Sequence, residues 1–218
     1  HKTYGGGAIC FASEVNENKR SLLTVLNCIF HNVTSKCGGG AIYYNAPQQE
    51  LMIDNCTFTD TYTRNDGQFG GAIYVKLSED PMPITITNCN FTNTYSSKGG
   101  AIYIERNENS NSPISISNCV FTRTKADADG HSIVIDKSAS DQVTISNCYC
   151  YDCGTNQDSY AIVLDVSNLD FNTNKIIFSD PDQSCGCILL KKIGSHSFRG
   201  NVFQNAHIKD EKMWNSAG

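Results

Sequence analysis

The chain has 218 residues, 39% of them apolar, and a formal charge of −5 with only 17 Lys and Arg. It lacks the basic stripe that a phosphate backbone requires, which argues against nucleic acid as a partner. No run of about 18 apolar residues occurs, so no segment reads as a membrane-spanning helix.

The first recognisable element is Gly5-Gly6-Gly7-Ala8-Ile9, and its pattern returns as Gly40-Ala41-Ile42, Gly71-Ala72-Ile73 and Gly100-Ala101-Ile102. Degenerate copies follow at His131-Ser132-Ile133, Tyr160-Ala161-Ile162 and Gly186-Cys187-Ile188, with successive copies 26 to 33 residues apart. A second series is interleaved with it: Asn27-Cys28-Ile29-Phe30, Asn55-Cys56-Thr57-Phe58, Asn88-Cys89-Asn90-Phe91, Asn118-Cys119-Val120-Phe121 and Asn147-Cys148-Tyr149-Cys150. Weaker echoes of it end at Phe178 and Phe203. A fixed period of this length marks stacked units that bury their apolar faces only against one another.

Each unit reads as short strands. Ile84-Thr85-Ile86-Thr87, Ile114-Ser115-Ile116-Ser117 and Val143-Thr144-Ile145-Ser146 alternate strictly, with aliphatics on one face and hydroxyls on the other. The phase changes at the following Asn, because Cys89 and Phe91 point inward if Ile84 and Ile86 do, and a one-residue phase change is a bend. Asn tolerates left-handed backbone there and can bond from rung to rung. The spacing therefore predicts an all-β chain, a right-handed parallel β-helix of about seven rungs and, at about 4.8 Å per rung, about 34 Å long.

The bend asparagines resemble the stacked turn asparagines of pectate-lyase-type β-helices. The Gly-Gly-Ala-Ile copies resemble the repeats of chlamydial polymorphic outer membrane proteins over about residues 5–205. The second motif of that group is Phe-x-x-Asn, whereas this chain has Phe30-His31-Asn32, Phe91-Thr92-Asn93 and Phe203-Gln204-Asn205. What the chlamydial resemblance implies is an exported passenger segment with an adhesive role.

We read one domain over 1–218, with the repeats over 5–205 and 206–218 as a cap or tail containing Trp214, the single tryptophan. His1 stands just before the first glycines and no signal peptide precedes it, so the chain reads as a mature form or a piece of something longer. The cysteines Cys28, Cys56, Cys89, Cys119 and Cys148 form one column and are expected to fill the core as small hydrophobes. Cys150 with Cys153, and Cys185 with Cys187, are better disulfide candidates, a zinc site from these four being the alternative. Sequons occur at Asn32, Asn55 and Asn90; Asn55 belongs to the bend column and its side chain is expected to be engaged, the other two at the surface.

Alternation in the strand after Gly-Gly places Ile73 and Val75, Ile102 and Ile104, and their equivalents inward. The opposite face then carries three columns: alanines (Ala41, Ala72, Ala101), tyrosines (Tyr43, Tyr74, Tyr103) and polar residues (Asn45, Lys76, Glu105, Asp136, Asp165, Lys191). An alanine floor beside a tyrosine ridge is a candidate groove for a chain-like ligand, with ring faces stacking on sugars; the competing reading is that a loop or subunit covers it. Glu105, Asp136 and Asp165 fall on successive rungs and make a candidate Ca²⁺ site, which the pectate-lyase resemblance reinforces; the alternative is three carboxylates splayed into water. No other cofactor is implied. His131, where the Gly-Gly rule breaks, is expected to be a turn residue rather than an acid or base.

The leading functional expectation is a non-catalytic, extracellular or cell-surface adhesive or structural segment, whose partner is a cell-surface protein or glycan. A saccharide-cleaving enzyme for acidic sugars would have to rely on Asp129, Asp136, Asp165 and Arg106. A filament subunit stacking through open ends is the third expectation.

Overall fold

The computed structural model describes residues 5–12, 21–46, 49–64, 67–76, 82–106, 113–154, 159–180, 182 and 184–208. Trp214 and most of the expected cap lie outside these. Every described strand pair is parallel, and each strand meets its equivalent one rung on. Seven three-residue strands, from Ile29–His31 to Val202–Gln204, stack in one sheet, so six turns separate the first from the last.

Three corners per turn take left-handed backbone. The Asn predicted to bend does so, with φ of 51–54° at Asn27, Asn55, Asn88, Asn118 and Asn147, and Thr173 and Gly200 continue the column. A second corner falls five residues later, at Asn32, Asp60, Asn93, Arg123, Asp152 and Asn205. The third is glycine at Gly39, Gly70, Gly99 and Gly130, where no side chain penalises positive φ. The next glycine answers a different demand: a Cβ on Gly71 would lie 2.0 Å from the carbonyl oxygen of Gly100 on the following rung.

The inward columns are dry and continuous. Ile84, Ile86 and Phe91 pair in register with Ile114, Ile116 and Phe121, all 0–1% exposed. The rings of Phe30, Phe58, Phe91 and Phe121 stack 4.7–4.9 Å apart, within 6° of parallel.

The cysteine column is inward as expected, and it also carries hydrogen bonds. Each thiol lies between two main-chain carbonyls, a nearer one two residues back at 3.0–3.4 Å (Asp54, Thr87, Ser117, Ser146) and one a rung earlier at 3.5–3.9 Å (Val25, Ile53, Ile86, Ile116). The next two rungs place Asn174 and Asn201 in the same column, and their amides donate at 2.8 Å to the equivalent carbonyls of Ile145 and Phe171. Asn174 also accepts from the Cys148 N–H at 2.8 Å. Burial pushes the Cys56 thiol up to about 11, so it remains a protonated donor at neutral pH.

The bend asparagines are exposed; Asn55 donates to Asn27 Oδ1 one rung away, as expected, whereas Asn88 donates to Asp54 Oδ1, each at 2.7 Å. One expectation about the surface is corrected. The alanine column faces the core, with Ala41, Ala72 and Ala101 fully buried. The N–H groups of Ala72 and Ile73 both donate to the single carbonyl of Ala101, and Ala41 with Ile42 and Ala101 with Ile102 repeat the arrangement. That kink breaks alternation for one residue, so Ala and Ile both point inward.

Candidate functional site

The outer side of the strands after Gly-Gly has three stacked tyrosines. Tyr43 pairs with Tyr74, and Tyr74 with Tyr103, in register. The rings are only 3–7% exposed, forming a second apolar cluster with Val134 and Val163. Phe69 lies over them, stacked on Tyr103 at 4.5 Å and edge-on to Tyr74 at 5.8 Å. Gly38 closes further on the ridge, since a Cβ there would fall 2.0 Å from Tyr74 Cδ1. The open groove expected over Tyr43, Tyr74 and Tyr103 is therefore corrected: corner residues from the neighbouring turns cover the rings.

The polar column is wired to these rings. Tyr74 donates its hydroxyl to Glu105 Oε2 at 2.7 Å, and Tyr103 donates to Asp136 Oδ2 at 2.8 Å. Each bond runs one rung on and two residues along, and each leaves the phenol proton locked on a carboxylate. Burial first, and the carboxylate second, raise both phenols well above the usual tyrosine range. Lys76 Nζ stands 3.9 Å from Glu105 Oε2, and Lys192 Nζ stands 3.3 Å from Asp165 Oδ1.

Glu105 and Asp136 face one another across a strand pair, as expected. Among the described residues, however, no three His, Cys, Asp or Glu are grouped to hold a metal ion. A cation at Glu105, Asp136 and Asp165 would compete with the phenol hydroxyls on Glu105 Oε2 and Asp136 Oδ2 and with the Lys192 ammonium 3.3 Å from Asp165 Oδ1. Cys150, Cys153, Cys185 and Cys187 form neither of the expected disulfides, and they are not grouped around a metal position either.

A small pocket remains at the end of the ridge, lined by Lys98, Tyr103, Asp129, Asp136, Asp165 and Lys191 among others. It gathers three of the four residues a saccharide-cleaving reading needs. The fourth, Arg106, is 1% exposed and donates from Nη2 to the carbonyl of Met82 at 3.1 Å.

His131 occupies its corner, as expected of a turn residue, and is also buried. Its Nδ1 accepts from the Ala126 N–H at 2.9 Å, so Nε2 carries the proton and donates to Ser159 Oγ at 2.6 Å. The imidazole fits against Gly154, where a Cβ would lie 2.1 Å from its Cδ2. Burial lowers this histidine to about 4. A neutral ring with both nitrogens engaged holds the corner together and abstracts no proton.

Sequence reasoning missed Phe69 and Asn174. Phe69 stands where the other rungs have Gly38, Lys98 and Asp129, and an aromatic at a corner was the signal available. Asn174 was hidden because its bend residue is Thr173 rather than Asn.

No curated protein and no solved structure matches the chain. Among the described residues no helix is long and apolar enough to cross a membrane. The model of the right-handed β-helix region matches residues 15–210, and the chain belongs to that family.

Proposed function

We propose that the protein is a non-catalytic β-helix acting as an extracellular or cell-surface adhesive or structural segment, with its outer strand faces meeting a cell-surface protein or glycan. The observation that carries this reading is a flat field of half-buried hydroxyls. Thr85, Ser115 and Thr144 pair in register, as do Thr87, Ser117 and Ser146. Thr59, Thr92 and Thr122 repeat the pattern past the Asn bend. Such rows offer donors and acceptors at the constant strand spacing of about 4.8 Å, suited to a repeating ligand. The resemblance to exported adhesive repeats supports the location.

The test is binding of the purified protein to a glycan array and to intact cells, with Ser115→Glu/Thr144→Glu as the control. Expected is binding that the double variant loses while its circular dichroism is unchanged. Release of unsaturated or reducing sugars from an acidic polysaccharide would instead establish the enzymatic reading.

End-to-end association is a second reading with its own support. Phe198 and Phe203 are 43% and 46% exposed, whereas their column-mates Phe171 and Phe91 are buried completely. Exposed core residues beside a strand edge favour continuation of the stack. Light scattering that finds a monomer at millimolar concentration would rule it out.

A further inference from the structure

The outer face of the sheet of three-residue strands changes character at the fifth rung. In register along it, Thr57 with Thr59 and Asn90 with Thr92 are followed by Val120 with Thr122 and then by Tyr149 with Tyr151. Cys150, between the two tyrosines, points into the core at 2% exposure, so alternation sends both rings outward. Their centroids are 6.1 Å apart and their planes are inclined by 31°. Val120 on the preceding rung and Ile177 on the next extend the rings into an apolar island whose members are all half-buried.

This island differs from the covered ridge at Tyr43, Tyr74 and Tyr103. Among the described residues no other aromatic ring contacts Tyr149 or Tyr151, and neither hydroxyl is taken by a carboxylate. The flanking charges also have the opposite sign. Lys175, in register with Tyr149, is exposed, and so is Arg123, a corner residue whose N–H donates to the Tyr151 carbonyl at 2.9 Å. Among the described residues neither enters an ion pair. The adjacent carboxylate, Asp152, accepts instead from the N–H and the hydroxyl of Ser179, at 2.7 and 3.0 Å. Two cations with free head groups therefore flank the rings in a chain whose formal charge is −5.

We propose that Tyr149 and Tyr151 form a binding platform for a glycan that bears carboxylates. The C–H faces of its sugar rings lie on the two phenols and Val120, and its carboxylates meet Lys175 and Arg123. A sugar ring is apolar on its C–H face and polar at its rim, and an aromatic pair with free hydroxyls matches both. The two cations favour an acidic sugar over a neutral one and fix its orientation. A peptide adding as a strand would need a free strand edge, and this strand is already paired on both sides. The platform adjoins the hydroxyl rows, because Ser146 precedes the Asn147 bend and Tyr149 follows it. The inference rests on the glycan-binding reading and names the sugar class for it.

The experiment titrates a hyaluronan hexasaccharide, which alternates glucuronate with a neutral sugar, and its carboxyl-reduced counterpart into the folded protein by calorimetry. Tyr149→Thr/Tyr151→Thr puts at both positions the residue of the second rung, and an unchanged melting temperature confirms that the fold is kept. Expected is binding of the acidic hexasaccharide that this variant weakens about tenfold. Lys175→Gln/Arg123→Gln is expected to weaken it about fivefold, and the carboxyl-reduced form to bind the native chain as weakly as that. Equal affinity for the two hexasaccharides, or full affinity in Tyr149→Thr/Tyr151→Thr, would overturn the proposal, as would no binding of either. Glycan binding that Ser115→Glu/Thr144→Glu abolishes but Tyr149→Thr/Tyr151→Thr spares would leave the adhesive reading standing without it.

Discussion

The hydroxyl of Tyr103 donates to Asp136 Oδ2 at 2.8 Å, and this bond joins a buried ring on one turn to a carboxylate on the next. It couples the apolar ridge to the polar column and keeps a negative charge beside Glu105 in place. Tyr103→Phe removes the donor while keeping the ring, and the expected loss is about 1.5–3 kcal/mol, typical of a hydrogen bond to a charged acceptor. Chemical denaturation of both proteins at pH 7 measures it; equal midpoints would show the bond contributes nothing.

The same tyrosines set an alkaline limit. Their folded-state values are raised, so the folded protein retains phenol protons that the unfolded chain releases. Stability is full below about pH 10 and falls as pH rises beyond it. Unfolding followed from pH 8 to 11 is expected to show the decline, reduced in Tyr74→Phe/Tyr103→Phe.

His131 sets an acid limit with the opposite slope. Its folded value is about 4, against an ordinary 6.5, so between these the unfolded chain binds the extra proton. Stability is complete above pH 6.5 and is lost as pH falls toward 4, by about 3 kcal/mol in all. Melting temperature measured across pH 4–7 is expected to fall more steeply for the native chain than for His131→Leu. Parallel curves would show that the ring does not control the corner.

At Asn88 the backbone and the side chain make separable demands. Its φ is 53°, and its amide donates to Asp54 Oδ1 at 2.7 Å on an exposed corner. Asn88→Ala is expected to cost about 1–2 kcal/mol, the penalty for an ordinary residue in left-handed conformation, while Asn88→Gly recovers most of it. Thermal unfolding of the pair decides; equal losses would assign the cost to the amide bond.

Phe91→Ala opens a gap in a four-ring stack and is expected to cost about 3–5 kcal/mol. A shift in denaturation midpoint below 1 kcal/mol would show that the neighbouring rings close over it.

The inward positions of Ile84, Ile86, Cys89 and Phe91 were legible because side chains alternate along a strand and only one residue, Asn88, interrupts the alternation. The inward alanines were not, since two N–H groups sharing the Ala101 carbonyl is a relation between rungs with no mark in the spacing. That something covers the tyrosines was one of the two readings of the face, but its source was not legible: Phe69 reaches Tyr103 from the preceding turn, and sequence distance carries no information about that overlap.

The repeat period, the alternation and the left-handed tolerance of Asn and Gly determined by themselves that this chain coils into parallel rungs with Cys56, Cys89, Cys119 and Cys148 and Phe58, Phe91 and Phe121 inside, because each is a local property multiplied down the stack. Tertiary structure alone decided which outer columns stay open. The burial of Tyr43, Tyr74 and Tyr103 and the pairing of the carboxylates with phenols and lysines depend on how one turn's corner lies over the next.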